Sequence, residues 1–163
     1  MIRLCALLCA LALSACAAPT VSGIAADVGV NFDKPRGPGI DPEKATFAFL
    51  PFEGVPGNAG DDLLSRIWKN AEEEGLTVVK RPGGRALFTV KGAITAVSDQ
   101  TNSTVFYVFD VNDTAGRRLH RISGEQRSGD GDIDPWGGVA GRDLETVANR
   151  LAALLKAWLH ADH

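Results

Sequence analysis

The sequence is poor in cysteine, and all three, Cys5, Cys9 and Cys16, fall within its first sixteen residues. From Ala17 onward there is no disulfide and no thiolate metal site, so stability there must come from a hydrophobic core. Basic residues are not in excess: 17 Lys and Arg stand against 20 Asp and Glu. That balance argues against a nucleic-acid binder, which needs a basic face, and against a polybasic lipid-surface patch. Residues 4–13 (LCALLCALAL) form an uncharged apolar run of only ten. A membrane-crossing helix needs about 20 such residues. No Gly-x-Ser-x-Gly, His-Glu-x-x-His or phosphate-binding loop occurs.

What is present begins with a targeting pattern. Arg3 supplies a short positive region, and the run 4–13 has the length of a signal-peptide hydrophobic segment. Leu13-Ser14-Ala15-Cys16 follows, and it resembles the lipobox of bacterial lipoprotein signal peptides. The resemblance implies cleavage before Cys16, a diacylglyceryl group on its thiol and an acyl chain on its new amine. Each buried CH₂ contributes about 0.8 kcal/mol, and more than one chain is needed for stable anchoring, a condition that a triacylated cysteine meets. Ala17 rather than Asp after the cysteine favours, by the same resemblance, the periplasmic face of the outer membrane.

Residues 1–15 are thus expected to be a cleaved signal, and residues 16–43 a lipidated tether. Pro19, Pro35, Pro38, Pro42, Gly29, Gly37 and Gly39 punctuate the tether, and a coil of that length spans about 30 Å. Residues 24–32 (IAADVGVNF) could add a short strand. One domain, 44–163, completes the chain.

Within that domain, residues 45–52 (ATFAFLPF) are apolar on both faces, as a covered strand is. Over 58–74 the period becomes helical, with Leu63, Leu64, Ile67, Trp68 and Ala71 on one stripe and Gly75 as the stop. Residues 76–80 (LTVVK) are a short strand, followed by the turn Pro82-Gly83-Gly84. Residues 86–97 alternate, with Gly92 suggesting a bend or bulge. Residues 104–111 (TVFYVFDV) are strongly β-forming, a turn at Asn112-Asp113-Thr114-Ala115-Gly116 leads into 117–125, and 143–159 is an amphipathic helix.

The order β-α-β-β-β-α predicts an α+β, two-layer sandwich: a mixed five-stranded sheet with two helices on one face. The first two strands should run parallel through a right-handed crossover, and the last three should form an antiparallel meander. Strand order stays open: the short link favours neighbouring second and third strands, whereas the apolar first strand favours a central place. Loops 99–103 and 127–138 should emerge at the same end as a polar rim.

Asp130, Asp132 and Asp134 alternate as in a calcium loop, but Pro135 stands where the turn needs Gly and Gly141 where a bidentate Glu should be. They read as a solvated acidic loop, and no metal or cofactor is expected. Trp136 is read as a plug for the loop, with a partner anchor as the alternative. Asp130, Asp132, Asp134 and Trp136 are the candidate interaction residues. His120 is a lone mid-strand histidine. Arg117, Arg118, Arg121 and Arg127 form a basic cluster for which cross-strand pairing with Asp110 or Asp113 is the simplest account.

Further residues carry a second resemblance: Phe49 to Gly54, Gly92 to Ala96, Val105 to Val111, Gly116 to Glu125 and Asp134-Pro135-Trp136. Together they are similar to a group of small uncharacterised bacterial lipoproteins across most of the domain. The strand leading into VNDTAG is more distantly similar to envelope lipoproteins of the TolB-N-terminal or CsgG-like α/β fold, some of which activate peptidoglycan synthases, export fibres or assist lipid transport. The expected function is a membrane-anchored, non-enzymatic binding module for an envelope protein, with no nucleic-acid partner. The alternative is a carrier or sensor of a small apolar or lipid ligand.

Overall fold

Alternation decides which face of the sheet is buried. The computed structural model describes residues 36–81, 83–99 and 101–162; Cys16, the expected signal, the possible strand 24–32 and most of the tether lie outside them. Strand β3 (Phe88–Ser98) buries Phe88, Val90, Gly92, Ile94 and Ala96 and turns Lys91, Ala93, Thr95 and Val97 outward. Strand β4 (Ser103–Asn112) buries Val105, Tyr107, Phe109 and Val111 in the same phase. Strand β5 (Arg118–Arg127) contributes Ile122 to that face.

The remaining strands, β1 (Thr46–Phe49) and β2 (Thr77–Val78), complete a five-stranded sheet of order β2-β1-β3-β4-β5. β1 runs parallel to both β2 and β3, and β3, β4 and β5 form an antiparallel meander. The sheet therefore resolves the strand-order conflict in favour of the apolar first strand. Residues 79–87 are long enough to pass β1, and Leu87 N–H donates to Thr46 Oγ1 at 2.9 Å on the way. Beyond β1 the chain stays beside β3: Glu53 N–H donates to Gly92 O (2.9 Å), and Glu53 O accepts from Ile94 N–H (2.9 Å).

Gly92 makes no bulge. β3 runs through it unbroken, and the irregularity lies instead between Val111 and Asn112, in the β4–β5 register. The space without a Cβ at Gly92 is filled by the rings of Phe52 and Phe109.

Both helices cover the buried face. Helix α1 (Gly57–Glu73) places Leu63, Ile67 and Ala71 in the core. It ends as a left-handed Gly allows: Gly75 has φ 83°, its N–H donates to Glu72 O (3.0 Å), and buried Leu76 donates to Ala71 O (2.8 Å). Helix α2 (Gly141–Leu159) buries Leu144, Val147, Leu151, Leu155 and Trp158. Its first turn is held by Asp143, whose Oδ2 accepts from Ala140 N–H at 3.0 Å.

Between the helices, Glu145 accepts from Arg66 Nη1 (2.7 Å) and from buried Asn70 Nδ2 (3.1 Å). Residues 36–43, which composition assigns to the tether, are docked on α2. Trp158 Nε1 donates to Arg36 O (2.9 Å), Gly37 N–H to Asp162 O (3.3 Å), and Ile40 packs against the core.

Candidate functional site

The rim expected at one end of the sheet is built by serines. Buried Ser128 donates its N–H to Ser103 O (2.7 Å) and its Oγ to Gly138 O (2.7 Å). Ser103 Oγ reaches Ser98 Oγ (3.1 Å), which in turn accepts from Asp132 N–H (3.1 Å). These bonds staple the 99–103 loop to the 127–138 loop. Asp99 closes its own turn, accepting from the N–H groups of Thr101 and Asn102 and from Thr101 Oγ1. Those bonds, the Thr101 backbone first, hold its carboxyl below the usual carboxylate range.

The candidate acidic residues are spread out by separate commitments. Asp130 pairs with Arg142 (3.0 Å), Asp132 Oδ1 accepts from Asp134 N–H (3.1 Å), and Asp134 Oδ1 accepts from Trp136 N–H (3.1 Å). Among the described residues, no three acidic, histidine or cysteine side chains are grouped to hold a metal. Trp136 is half-buried and packs against the core, with Pro56, Ala59 and Leu144 beside it. It therefore has the position of a plug. Ile133 is the apolar side chain that the loop presents to solvent, fully exposed over a hollow lined by Ser98, Asp99 and Asp132.

A second surface escaped the sequence reading. No described element covers the outer face of β3, β4 and β5. The registers set Val97, Thr104 and Arg127 in one row, then Thr95, Phe106 and Glu125, then Ala93, Val108 and Ser123, then Lys91, Asp110 and Arg121. Val97 is 54% exposed and Phe106 44%, large values for such side chains within strands. Apolar Phe106 and Val108 thus lie at the centre with charged side chains on two sides, along β5 and across the last row, a composition that suits a protein-binding surface. Phe106 and Val108 carried the signal: β4 is apolar on both faces, which marks a strand meant to be covered twice.

At the margin, Arg121 grips Asp110 with two bonds, Nε to Oδ1 (2.6 Å) and Nη2 to Oδ2 (2.7 Å), and the Arg121 bond chiefly lowers the Asp110 carboxyl. Arg118 lies 3.8 Å from the same carboxylate, and Arg117 pairs with Asp113 (3.0 Å). The cross-strand account of the basic cluster holds for Arg121 and Arg118, whereas Arg117 pairs with Asp113 within the hairpin turn.

His120 lies flat on Trp158, with centroids 5.3 Å apart and planes 2° apart, and burial lowers its pKa. On the other side of the domain, a cavity of about 410 Å³ is lined by Phe49, Leu64, Trp68, Val79 and Thr89 among others. The Trp68 indole N–H is buried there without an acceptor among the described residues.

No family model and no curated protein sequence matches the chain. Solved structures do share its architecture, that of a small α+β module with two helices on one face of a mixed sheet. The PelC dodecamer from Paraburkholderia phytofirmans aligns with a TM-score of 0.52 at 17% identity, over 78% of this chain and 95% of that one. Protein XCC0632 from Xanthomonas campestris, of family DUF330, gives 0.51 at 13% identity, over 75% and 91%. Lipoprotein GNA1162 from Neisseria meningitidis gives 0.43 at 16% identity, over 66% and 96%. At these identities the likeness to the first two is one of fold alone.

Proposed function

We propose that this chain is a non-enzymatic docking module, lipidated at Cys16 and held on the periplasmic face of the outer membrane, that binds an envelope protein. The observation that carries the reading is the uncovered sheet face, with Phe106 and Val97 exposed and charged side chains along β5 and across the Lys91, Asp110 and Arg121 row. The adjoining rim, with Asp130, Asp132, Asp134 and exposed Ile133, extends that surface with acidic groups. Burial of an aromatic centre supplies affinity, and the charged margin supplies orientation. Lipidation rests on the Leu13-Ser14-Ala15-Cys16 pattern.

The test places photo-crosslinking residues at Phe106, Ile133 and Ala115 in the full chain in cells. One envelope protein, identified by mass spectrometry, should be captured from Phe106 and Ile133 and not from the distant hairpin residue Ala115. Cys16→Ser should abolish palmitate labelling and capture together. Equal capture from Ala115, or none from any position, overturns the proposal.

A second reading, a carrier of a small apolar ligand, is favoured by the cavity beside Trp68. Its size and mainly apolar lining suit a small molecule, and the unpaired indole N–H suits an acceptor on that molecule. Native mass spectrometry of the purified chain decides it: a non-covalent ligand displaced by Leu64→Trp supports the carrier, and its absence rules the carrier out.

A further inference from the structure

β5 is an edge strand: among the described residues it pairs only with β4. The bond from Ser128 N–H to Ser103 O (2.7 Å) sets the phase of that ladder. Residues 120, 122, 124 and 126 therefore point their backbone groups at β4, and Leu119, Arg121, Ser123, Glu125 and Arg127 point theirs outward. Arg150 confirms the phase, since its Nη1 reaches the Glu125 carbonyl (3.1 Å) from outside the ladder. An edge of ten residues without proline is a template for another strand.

We infer that the strand it accepts is β5 of a second copy of this chain, antiparallel, about a two-fold axis at Ser123. Charge selects both the partner and the register. With Ser123 opposite Ser123, Arg121 faces Glu125 twice across the axis. A slip of two residues one way sets Arg121 against Arg127, and a slip the other way sets Arg121 against Ser123 and Glu125 against Leu119, losing both charge pairs. Opposite charges directly across a ladder stabilise it and like charges oppose it, so the register centred on Ser123 is favoured over both neighbours.

The required groups are available. Glu125 makes no side-chain ion pair among the described residues, and Arg121 uses Nε and Nη2 on Asp110, leaving Nη1. Arg150 gives up the Glu125 carbonyl and keeps its bond to the Tyr107 hydroxyl (3.0 Å). Apolar surface lies beside the edge: a groove of about 420 Å³ lined by His120, Ile122, Leu154, Ala157 and Trp158 among others, with Leu154 41% exposed. Pairing the edges brings two α2 helices side by side and closes this groove from both copies. The rim loops and Phe106 stay free. Arg121 and Glu125 belong to the charged margin of the docking face as well, and a crosslink at Ser123 reads pairing of the chain with itself, apart from capture of a second protein.

Ser123→Cys in the full chain tests the geometry. Paired residues of this type have Cα atoms about 5.5 Å apart, within disulfide reach. Mild oxidation should yield a covalent dimer, absent from wild type and from Thr95→Cys, which lies on the same face two strands inward. Ser123→Pro removes an outward N–H and should raise the dimer dissociation constant at least about tenfold with circular dichroism unchanged. Leu154→Glu, on an exposed helix position, should do the same and stands in if the proline variant fails to fold. Wild type sedimenting as a monomer at every concentration, Thr95→Cys crosslinking equally, or folded Ser123→Pro or Leu154→Glu associating as wild type would each overturn the inference.

Discussion

The ring of Phe52 meets that of Phe109 edge-on, with centroids 5.6 Å apart and planes at 73°, over the backbone of Gly92. Phe52 belongs to the irregular segment after β1 and Phe109 to β4, so the contact ties the chain leaving the parallel strand pair to the meander. A Cβ at Gly92 would stand 2.7 Å from the Phe52 ring and 2.8 Å from the Phe109 ring. Gly92→Ala should therefore destabilise the domain by about 1–3 kcal/mol, although alanine suits a strand better than glycine. Chemical denaturation checks this, and Gly92→Ala combined with Phe52→Leu should recover part of the loss.

The helix-to-helix link at Glu145 gives stability a dependence on acid. Hydrogen bonds from Arg66, then from Asn70, hold its carboxyl below the ordinary value. A carboxylate with a lowered folded pKa contributes fully above its unfolded value, about 4.3, and loses that contribution as the pH falls through the folded one. Glu145→Gln should lower stability at neutral pH and flatten the decline on acidification, read from melting temperatures across the acid range.

His120 sets a second dependence at higher pH. Burial against Trp158 lowers its pKa, so the folded state resists protonation that the unfolded chain accepts. Stability should begin to fall as the pH drops below about 6.5 and continue to do so until the folded histidine is itself protonated. His120→Phe keeps a ring on Trp158 and should remove this portion of the decline. A His120→Phe profile superimposable on wild type between neutral and mildly acidic pH would contradict the assignment.

Neighbours in the rim loop should respond oppositely. Trp136, half-buried against the core, should cost about 1–3 kcal/mol when changed to Ala. Ile133→Ser, at a fully exposed position, should change stability by less than about 0.5 kcal/mol. Thermal melts of the two variants make the comparison.

Phe106→Glu separates docking from folding. Its side chain is exposed, so the melting temperature should stay near wild type, whereas crosslinking of a partner to the sheet face should disappear.

Periodicity carried most of the fold into the sequence. Phe88, Val90, Ile94, Val105 and Phe109 alternate cleanly, and Leu63 with Ile67, or Leu151 with Leu155, repeat at helical spacing, so element order and sheet type were legible. Strand order was not, because it turned on whether residues 79–87 could pass β1, a question of path length rather than pattern. Gly92 misled because glycine in a strand marks either a bend or a close approach, and only the partners Phe52 and Phe109 distinguish the two. The rim was legible from strand direction alone. The uncovered face was not, since its apolar outward residues are divided between β3 (Ala93, Val97) and β4 (Phe106, Val108) and meet only through the register.

The bond from Trp158 Nε1 to Arg36 O ties the first described residues to the C-terminal end of α2. Trp158 lies in the last turn of α2, and the serine-stapled loops lead into its first, about 25 Å away along the helix. Load applied at Arg36 would therefore strain the C-terminal turn of α2 before it reached the serine-stapled loops at the other end of that helix.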